Sequence, residues 1–359
     1  MNIKIRLLDD NEISIVNEVY NTAYGNIRPD SYFEWEFIKG PSGKAIYVIA
    51  EDLDKTGNKI IGTQAAIPLY IISSEGKRIL TAKSEDTFVH PDYRGHKLFD
   101  KMYEVLFDQC KNHGIEYIWG FTYAKKPFLK LGFTIPFDTI QGLLVFKWLP
   151  SYKYFSSLNE KNSISDKVKI LALTFLASCK WKSIALSSFF KKTIIKIEKP
   201  TLTNRKELYY ETITENKELW CIDQNQQYLN WRLDENPYDN LYEQISVSDG
   251  ATNFISGLIN IRKEKFAYLE DLFISKVADK KQIIGLAKTV SKKESIHTFR
   301  FWGFDTNSHN KKEIELLRKA GFLFVKKGTS FVWKELVSGP VKIDPNNLLL
   351  SRLYTQGNR

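Results

Sequence analysis

Two groups of residues in this chain have types and spacings that could do chemistry. The first is Phe88-Val89-His90-Pro91-Asp92-Tyr93-Arg94-Gly95-His96-Lys97-Leu98-Phe99. A strand runs out at Val89, Pro91 stops ladder pairing, and a helix begins within a few residues. The first backbone N–H groups of such a helix have no partner inside it. They also lie at the positive end of its dipole, so a strand–turn–helix of this kind is a ready phosphate site. Gly95 lets the backbone approach an anion, and Arg94 and Lys97 add full charges. The second group is Glu85-Asp86, on the strand leading into that turn. A carboxylate there has the chemistry of a general acid or base. Strand alternation sends the two side chains to opposite faces, so only one can face a given cleft. His90, His96 and His113, beside a turn or a helix end, read as capping or solvated. No Ser-His-Asp or Cys-His arrangement has a recognisable signature, which disfavours a covalent intermediate.

The elements that must position these groups follow from periodicity. Strands are expected at 3–7, 45–51, 59–69 and 79–89, with hairpin turns at Gly57-Asn58 and Glu75-Gly76. A helix follows over 96–113, with Leu98, Met102, Val105, Leu106 and Cys110 on one face and Gly114 at its C-cap. Then come a buried strand at 117–122, a short helix at 126–131 and a closing strand at 140–148.

The chain also repeats itself. Tyr32-Phe-Glu-Trp35 with Pro41 recurs as Tyr228-Leu-Asn-Trp231 with Pro237. Glu85-Asp86-Thr-Phe88-Val89 recurs as Glu270-Asp271-Leu-Phe273-Ile274, and Trp119-Gly120-Phe121 as Trp302-Gly303-Phe304. Leu129-Lys-Leu-Gly132-Phe133 recurs as Arg318-Lys-Ala-Gly321-Phe322. Four landmarks in one order imply two copies of one fold. The second copy's counterpart of the phosphate turn, 274–284, has no Arg-Gly pair and no glycine, so that copy is expected to be degenerate. The Glu-Asp pair recurs in this degenerate copy, which a shared structural role would explain.

The stretch from Val89 to Phe99 resembles the acetyl-CoA-binding motif of the GNAT acetyltransferase superfamily, Arg/Gln-x-x-Gly-x-Gly/Ala, and Phe128-Leu-Lys-Leu-Gly132-Phe133 resembles its closing helix. With the repeat, the whole resembles a tandem GNAT protein. The resemblance implies an α/β (α+β) fold with two mixed sheets flanked by helices and joined by a helical connector. It implies acetyl-CoA as the acyl donor, with Phe88 and Val89 pairing to the pantetheine arm. Arg94, Gly95, His96, Lys97, Leu98 and Phe99 would offer backbone N–H groups to the pyrophosphate. Lys97 stands where the motif has its middle glycine, and Phe99 where it has its last small residue. The resemblance also implies a base on the strand before the turn, since the superfamily often uses a carboxylate there, which makes Glu85 the candidate and Asp86 its rival. The superfamily's usual general acid, a tyrosine, is replaced by Phe128, which leaves Tyr123 as the nearby phenol.

The expected layout is an N-terminal GNAT domain with the acetyl-CoA site at 1–150, a connector at 151–205, a degenerate C-terminal domain at 206–337 and a tail at 338–359. The connector carries apolar helical runs flanked by lysines. It is expected to pack across both copies, with a basic amphipathic helix touching a membrane surface through 168–192 as the alternative.

The 359 residues carry 52 Lys+Arg against 42 Asp+Glu, a formal charge of +10. Basic residues without Arg/aromatic interleaving give no expectation of nucleic acid. Three cysteines, Cys110, Cys179 and Cys221, are too few for a disulfide scaffold and match no zinc spacing, so no metal is expected. The apolar runs fall short of the ~20 residues that span a bilayer, which gives the expectation of a cytoplasmic protein.

The expected activity is acetyl transfer to an amine of a small molecule, an amino sugar being the favoured class. The alternatives are a non-catalytic acyl-CoA-binding module and a Fem-type aminoacyl transferase using charged tRNA.

Overall fold

Strand segments buried on both faces alternate with helices that each bury one stripe, and this pattern builds two mixed sheets. The computed structural model describes residues 2–25, 27–158, 163–187, 193–238, 240–293, 296–325 and 328–354. Among these the strands are β1 (Ile3–Leu7), β2 (Ile46–Asp52), β3 (Ile60–Ser73), β4 (Arg78–Val89), β5 (Tyr117–Thr122), β6 (Ile140–Val145), β7 (Ile194–Glu198), β8 (Trp220–Ile222), β9 (Leu241–Ser248), β10 (Asn253–Ile261), β11 (Phe266–Ile274), β12 (Thr298–Gly303), β13 (Leu323–Val325) and β14 (Ser330–Glu335). The helices are α1 (Ile13–Tyr24), α2 (Asp30–Phe33), α3 (Leu98–Asn112), α4 (Lys125–Lys130), α5 (Trp148–Ser157), α6 (Ile164–Ser187), α7 (Leu202–Glu215), α8 (Gln226–Leu229), α9 (Lys280–Ser291) and α10 (Ser308–Lys319).

The chain forms two compact units, and they do not follow the expected boundaries. One holds Met1–Asp138, Trp220–Tyr238 and Thr329–Asn347; the other holds Thr139–Leu219, Asp239–Gly328 and Leu348–Arg359. The expected divisions at 150, 205 and 337 are therefore corrected. Each copy's last strand completes the other copy's sheet: β6 pairs with β12 and β13, whereas β14 pairs with β5. The segment expected as a connector belongs to the second unit, and it contains β7, which pairs with β9.

In the first unit the order is β1-β2-β3-β4-β5-β14, with β8 pairing the far end of β3. The β4–β5 pair is parallel and its neighbours are antiparallel. Helix α3 buries Leu98, Met102, Tyr103, Leu106 and Cys110 against Ala82 and Ile118 on one face. Val16, Phe33 and Phe37 cover the other face over Tyr47, Ile49 and Ala65. The repeated Tyr-x-x-Trp landmarks meet here. Trp35 Nε1 donates to the Trp231 carbonyl at 2.7 Å, Trp231 Nε1 donates to the Trp35 carbonyl at 2.8 Å, and the indoles stack at 4.9 Å.

In the second unit the order is β13-β6-β12-β11-β10-β9-β7, again with one parallel pair, β11–β12. Helices α9 and α10 supply Ile283, Leu286, Val290, Ile314 and Leu317 to its core. Helix α10 also buries two titratable groups. Burial raises the Glu313 carboxyl to about 8, with Asp271 adding to the shift, and burial lowers His309 to about 4.

Because folded Glu313 holds its proton to a higher pH than the unfolded chain, its stabilising contribution is full below about pH 4.5 and is lost as pH rises toward 8. His309 acts in the opposite direction, costing stability as pH falls from about 6.5 to about 4. The unfolding temperature is expected to fall measurably between about pH 6.5 and pH 8, and Glu313→Gln to flatten that limb. An unchanged limb in the variant would assign the pH dependence elsewhere.

Candidate active site

The parallel pair of the first sheet comes apart. Strands β4 and β5 are paired at Thr81–Tyr117, Ala82–Ile118 and Lys83–Trp119, and from Ser84 and Gly120 onward they diverge. Gly120 sits at the parting point, where a Cβ would lie in tight contact, 3.1 Å from the Ser84 carbonyl oxygen. The opening is a cavity of about 460 Å³ lined by both strands, by Arg94 and Phe99 beyond β4, and by Ala124, Pro127 and Phe128 beyond β5. On the β5 side the backbone of Glu85 to Val89 thus has an open edge, as a pantetheine arm would need.

Glu85 and Asp86 both line this cavity, contrary to the expectation that alternation would admit only one of them. The cause is a bulge. Ala65 pairs with Glu85 and Thr63 with Phe88, so two β4 residues oppose one of β3, and Asp86 has φ +52°. Their surroundings differ. Asp86 Oδ2 accepts from Arg28 Nη1 at 2.9 Å and from the Tyr47 hydroxyl, and the Arg28–Asp86 pair is 3% exposed on each side. Burial works to lower the Arg28 pKa, but Asp86, Tyr47 and Glu36 together outweigh it and the net direction is up. In the second unit Asp271 accepts from the buried Arg205 at 2.7 Å. The aspartates thus share a structural role. Glu85 is ion-paired with Lys83, whose pKa burial lowers while Glu85 offsets part of the effect.

The turn beyond β4 is built as a cradle. A 3₁₀ turn, Pro91–Tyr93, is tied to β2 through the Tyr93 hydroxyl, which donates to Asp52 at 2.7 Å. Arg94, Gly95, His96 and Lys97 are exposed, with Gly95 at φ +87°. Lys97 is the N-cap of α3 at φ +59°, so it holds the left-handed conformation that the motif's glycine would take. Its side chain makes no capping bond, and the first backbone bond into the helix runs from Lys101 N–H to the Lys97 carbonyl. The amides of Leu98, Phe99 and Asp100 are consequently left over at the helix start. Leu98 contributes only backbone, because its side chain is in the core.

Helix α9 of the second unit is finished differently. Asp279 caps it, accepting from Lys281 N–H at 2.6 Å, and Gln282 answers with a bond from Asp279 N–H at 2.8 Å. A carboxylate of the protein already sits where an anion would bind. This Asp-x-x-Gln capping box was legible in the sequence and was not read there.

Tyr123 is not brought to the site: it is 82% exposed and does not line the cavity. The β5 strand has ended and the chain turns outward before it. Phe128 does line the cavity and packs on Phe99, Tyr103 and Phe133 with ring centroids 5.1–5.7 Å apart. One pair escaped sequence reasoning. The Ser84 and Tyr103 hydroxyls lie 2.7 Å apart, with Ser84 on the cavity wall and Tyr103 buried in α3. Their signal was available as a hydroxyl directly before Glu85 and a tyrosine on the apolar stripe of α3.

Comparison with known proteins agrees with this geometry. Residues 4–135 match the family model described as "Acetyltransferase (GNAT) domain". No curated protein sequence matches the chain. Solved structures similar in fold include a GCN5-related N-acetyltransferase from Anabaena variabilis ATCC 29413, at 9% identity and TM-score 0.60 over 94% of this chain and 73% of that one. A tandem GNAT protein from the clavulanic acid biosynthesis pathway is 8% identical, with TM-score 0.54, over 95% of this chain and all of that one. Saccharomyces cerevisiae N-myristoyltransferase with bound myristoyl-CoA and inhibitors is 13% identical, with TM-score 0.56, over 96% and 83%. Residues 4–135 thus match the model of a GNAT domain, and the chain as a whole is similar in fold to a tandem GNAT protein.

Proposed function

We propose that the first unit transfers an acyl group, acetyl being the expected one, from acyl-CoA to the amine of a small molecule, with an amino sugar as the favoured acceptor. The observation that carries this reading is the meeting of three features at one cavity: splayed β4 and β5, the uncapped start of α3, and Glu85 on the wall. The exposed Arg94–Lys97 turn and the leftover α3 amides fit a pyrophosphate, and the open edge of β4 fits an amide-bearing arm. Bound acyl-CoA would supply the thioester.

In this reading Glu85 takes the proton of the attacking amine, directly or through water. The amine nitrogen bonds to the thioester carbonyl carbon, and the C–S bond then breaks, leaving the CoA thiolate. Backbone N–H groups at the open edge of β4 are the donors for the developing oxyanion. Phe128 brings no proton to the thiolate. Ser84, backed by Tyr103, is the hydroxyl on the wall that is already held in a hydrogen-bonded pair.

Calorimetry with acetyl-CoA tests the cofactor half. Arg94→Glu is expected to weaken binding by at least about tenfold, because a cation beside the phosphates becomes an anion. Folded protein that gives no heat, or an Arg94→Glu variant with unchanged affinity, would remove acyl-CoA from this turn. Thiol release across a panel of amines tests the transfer. The absence of a phenol at Phe128 favours a second reading, a module that binds acyl-CoA without turnover, and thiol release separates the two.

A further inference from the structure

Helix α6 has 24 residues, long enough to cross a bilayer, yet it belongs to the second unit. Only Thr174, Ala177, Ser178 and Trp181 are buried. Trp181 lies 5.4 Å from the Phe146 ring, and Ser178 Oγ donates to the Phe146 carbonyl. The face beside it is apolar and exposed. Ile164, Val168, Leu171, Phe175 and Leu186 fall on one stripe at helical spacing, in line with Lys182, and Leu173 and Leu176 are exposed further round the helix. Phe175 is 47% exposed and Leu186 80%. On the neighbouring α5, Trp148 sits 5.7 Å from Phe175. Lysines 167, 169, 180 and 182, all exposed, stand near the two ends of the stripe, and Asp166 is the helix's one acidic residue.

We propose that this face of α6 rests on an anionic lipid surface, lying in the plane of the headgroups with its apolar stripe buried and its lysines among lipid phosphates. Charge complementarity selects this occupant, since the chain carries +10. A second copy laid symmetrically on the same stripe would bring lysines 167 and 169 against lysines 180 and 182. Crossing the bilayer is disfavoured because one face of the helix is committed to the protein core. The inference does not depend on the chemistry of the first unit.

The full chain is sedimented with phosphatidylcholine vesicles, with and without phosphatidylglycerol. Binding is expected to be at least about tenfold tighter to the anionic vesicles, since each lysine near the surface adds to the attraction. Phe175→Glu with Leu176→Glu is expected to abolish binding while the circular dichroism spectrum stays that of the folded chain, neither side chain being in the core. Lys180→Glu with Lys182→Glu is expected to weaken binding by about tenfold or more. Failure to bind anionic vesicles, equal binding to both vesicle types, or full binding by the Phe175/Leu176 variant would overturn the proposal. So would a dimer in light scattering that this variant dissolves, or bound protein that only detergent releases, which would mean a spanning helix.

Discussion

Glu85→Gln is expected to lower kcat for amine acylation by about a hundredfold, while the dissociation constant for acetyl-CoA changes by less than about twofold. The amide keeps the size of the side chain but cannot accept the amine's proton. Glu85 lines the cavity, whereas the groups fitted to the pyrophosphate lie in the turn from Arg94 to Lys97 and at the start of α3. Base removal and cofactor affinity should therefore separate. The deficit should shrink as pH rises toward the acceptor's own pKa, because solvent then supplies the free amine. Steady-state kinetics beside calorimetry reads both quantities. A variant with unchanged kcat would pass the role to another group or to water alone. The Lys83 partner gives a control: Lys83→Met removes the ion pair but keeps the carboxylate, so activity should fall less than in Glu85→Gln.

Asp86→Ala is expected to cost about 3–5 kcal/mol of stability, read by chemical denaturation. The loss would follow from what remains. Arg28 would keep its charge in a site where it is 4% exposed and where its Nη2 already has no hydrogen-bond partner. The Tyr47 hydroxyl would lose its acceptor as well. Stacking of Arg28 over Tyr20 at 4.0 Å would hold the guanidinium in place without neutralising it. Removing both charges with Arg28→Met and Asp86→Leu should cost less than the sum of the single losses, since no unpaired ion is then buried. A loss below about 1 kcal/mol in Asp86→Ala would show that water reaches the pair and screens it.

The paired carboxylates show how far alternation carries. Pattern alone put Glu85 and Asp86 on opposite faces, and a single inserted residue brought both to the cavity. The nature of each partner then separated them, a lysine two residues away for Glu85 and an arginine 58 residues away for Asp86. Tyr123 lies off the cavity wall for a related reason. Nearness along the chain says nothing about direction once a strand has ended.

Local rules made much of the molecule legible by themselves. The repeat, the hairpin turns, the apolar stripe of α3 and the strand–turn–helix at 88–99 all depend on residues a few positions apart. The contrast between an open α3 and a closed α9 was equally local, written in Lys97 and Asp279. Tertiary structure alone decided which sheet each closing strand would join. The apolar pattern of β6 suits any sheet with an open edge, and only the completed sheets show that it pairs with β12 while β14 pairs with β5. Tertiary structure also decided that β4 and β5 part after Lys83 and Trp119, where Gly120 comes close to the Ser84 carbonyl across the sheet. The residues of the site were set by short-range sequence, but the opening between them is a long-range contact that no local pattern encodes.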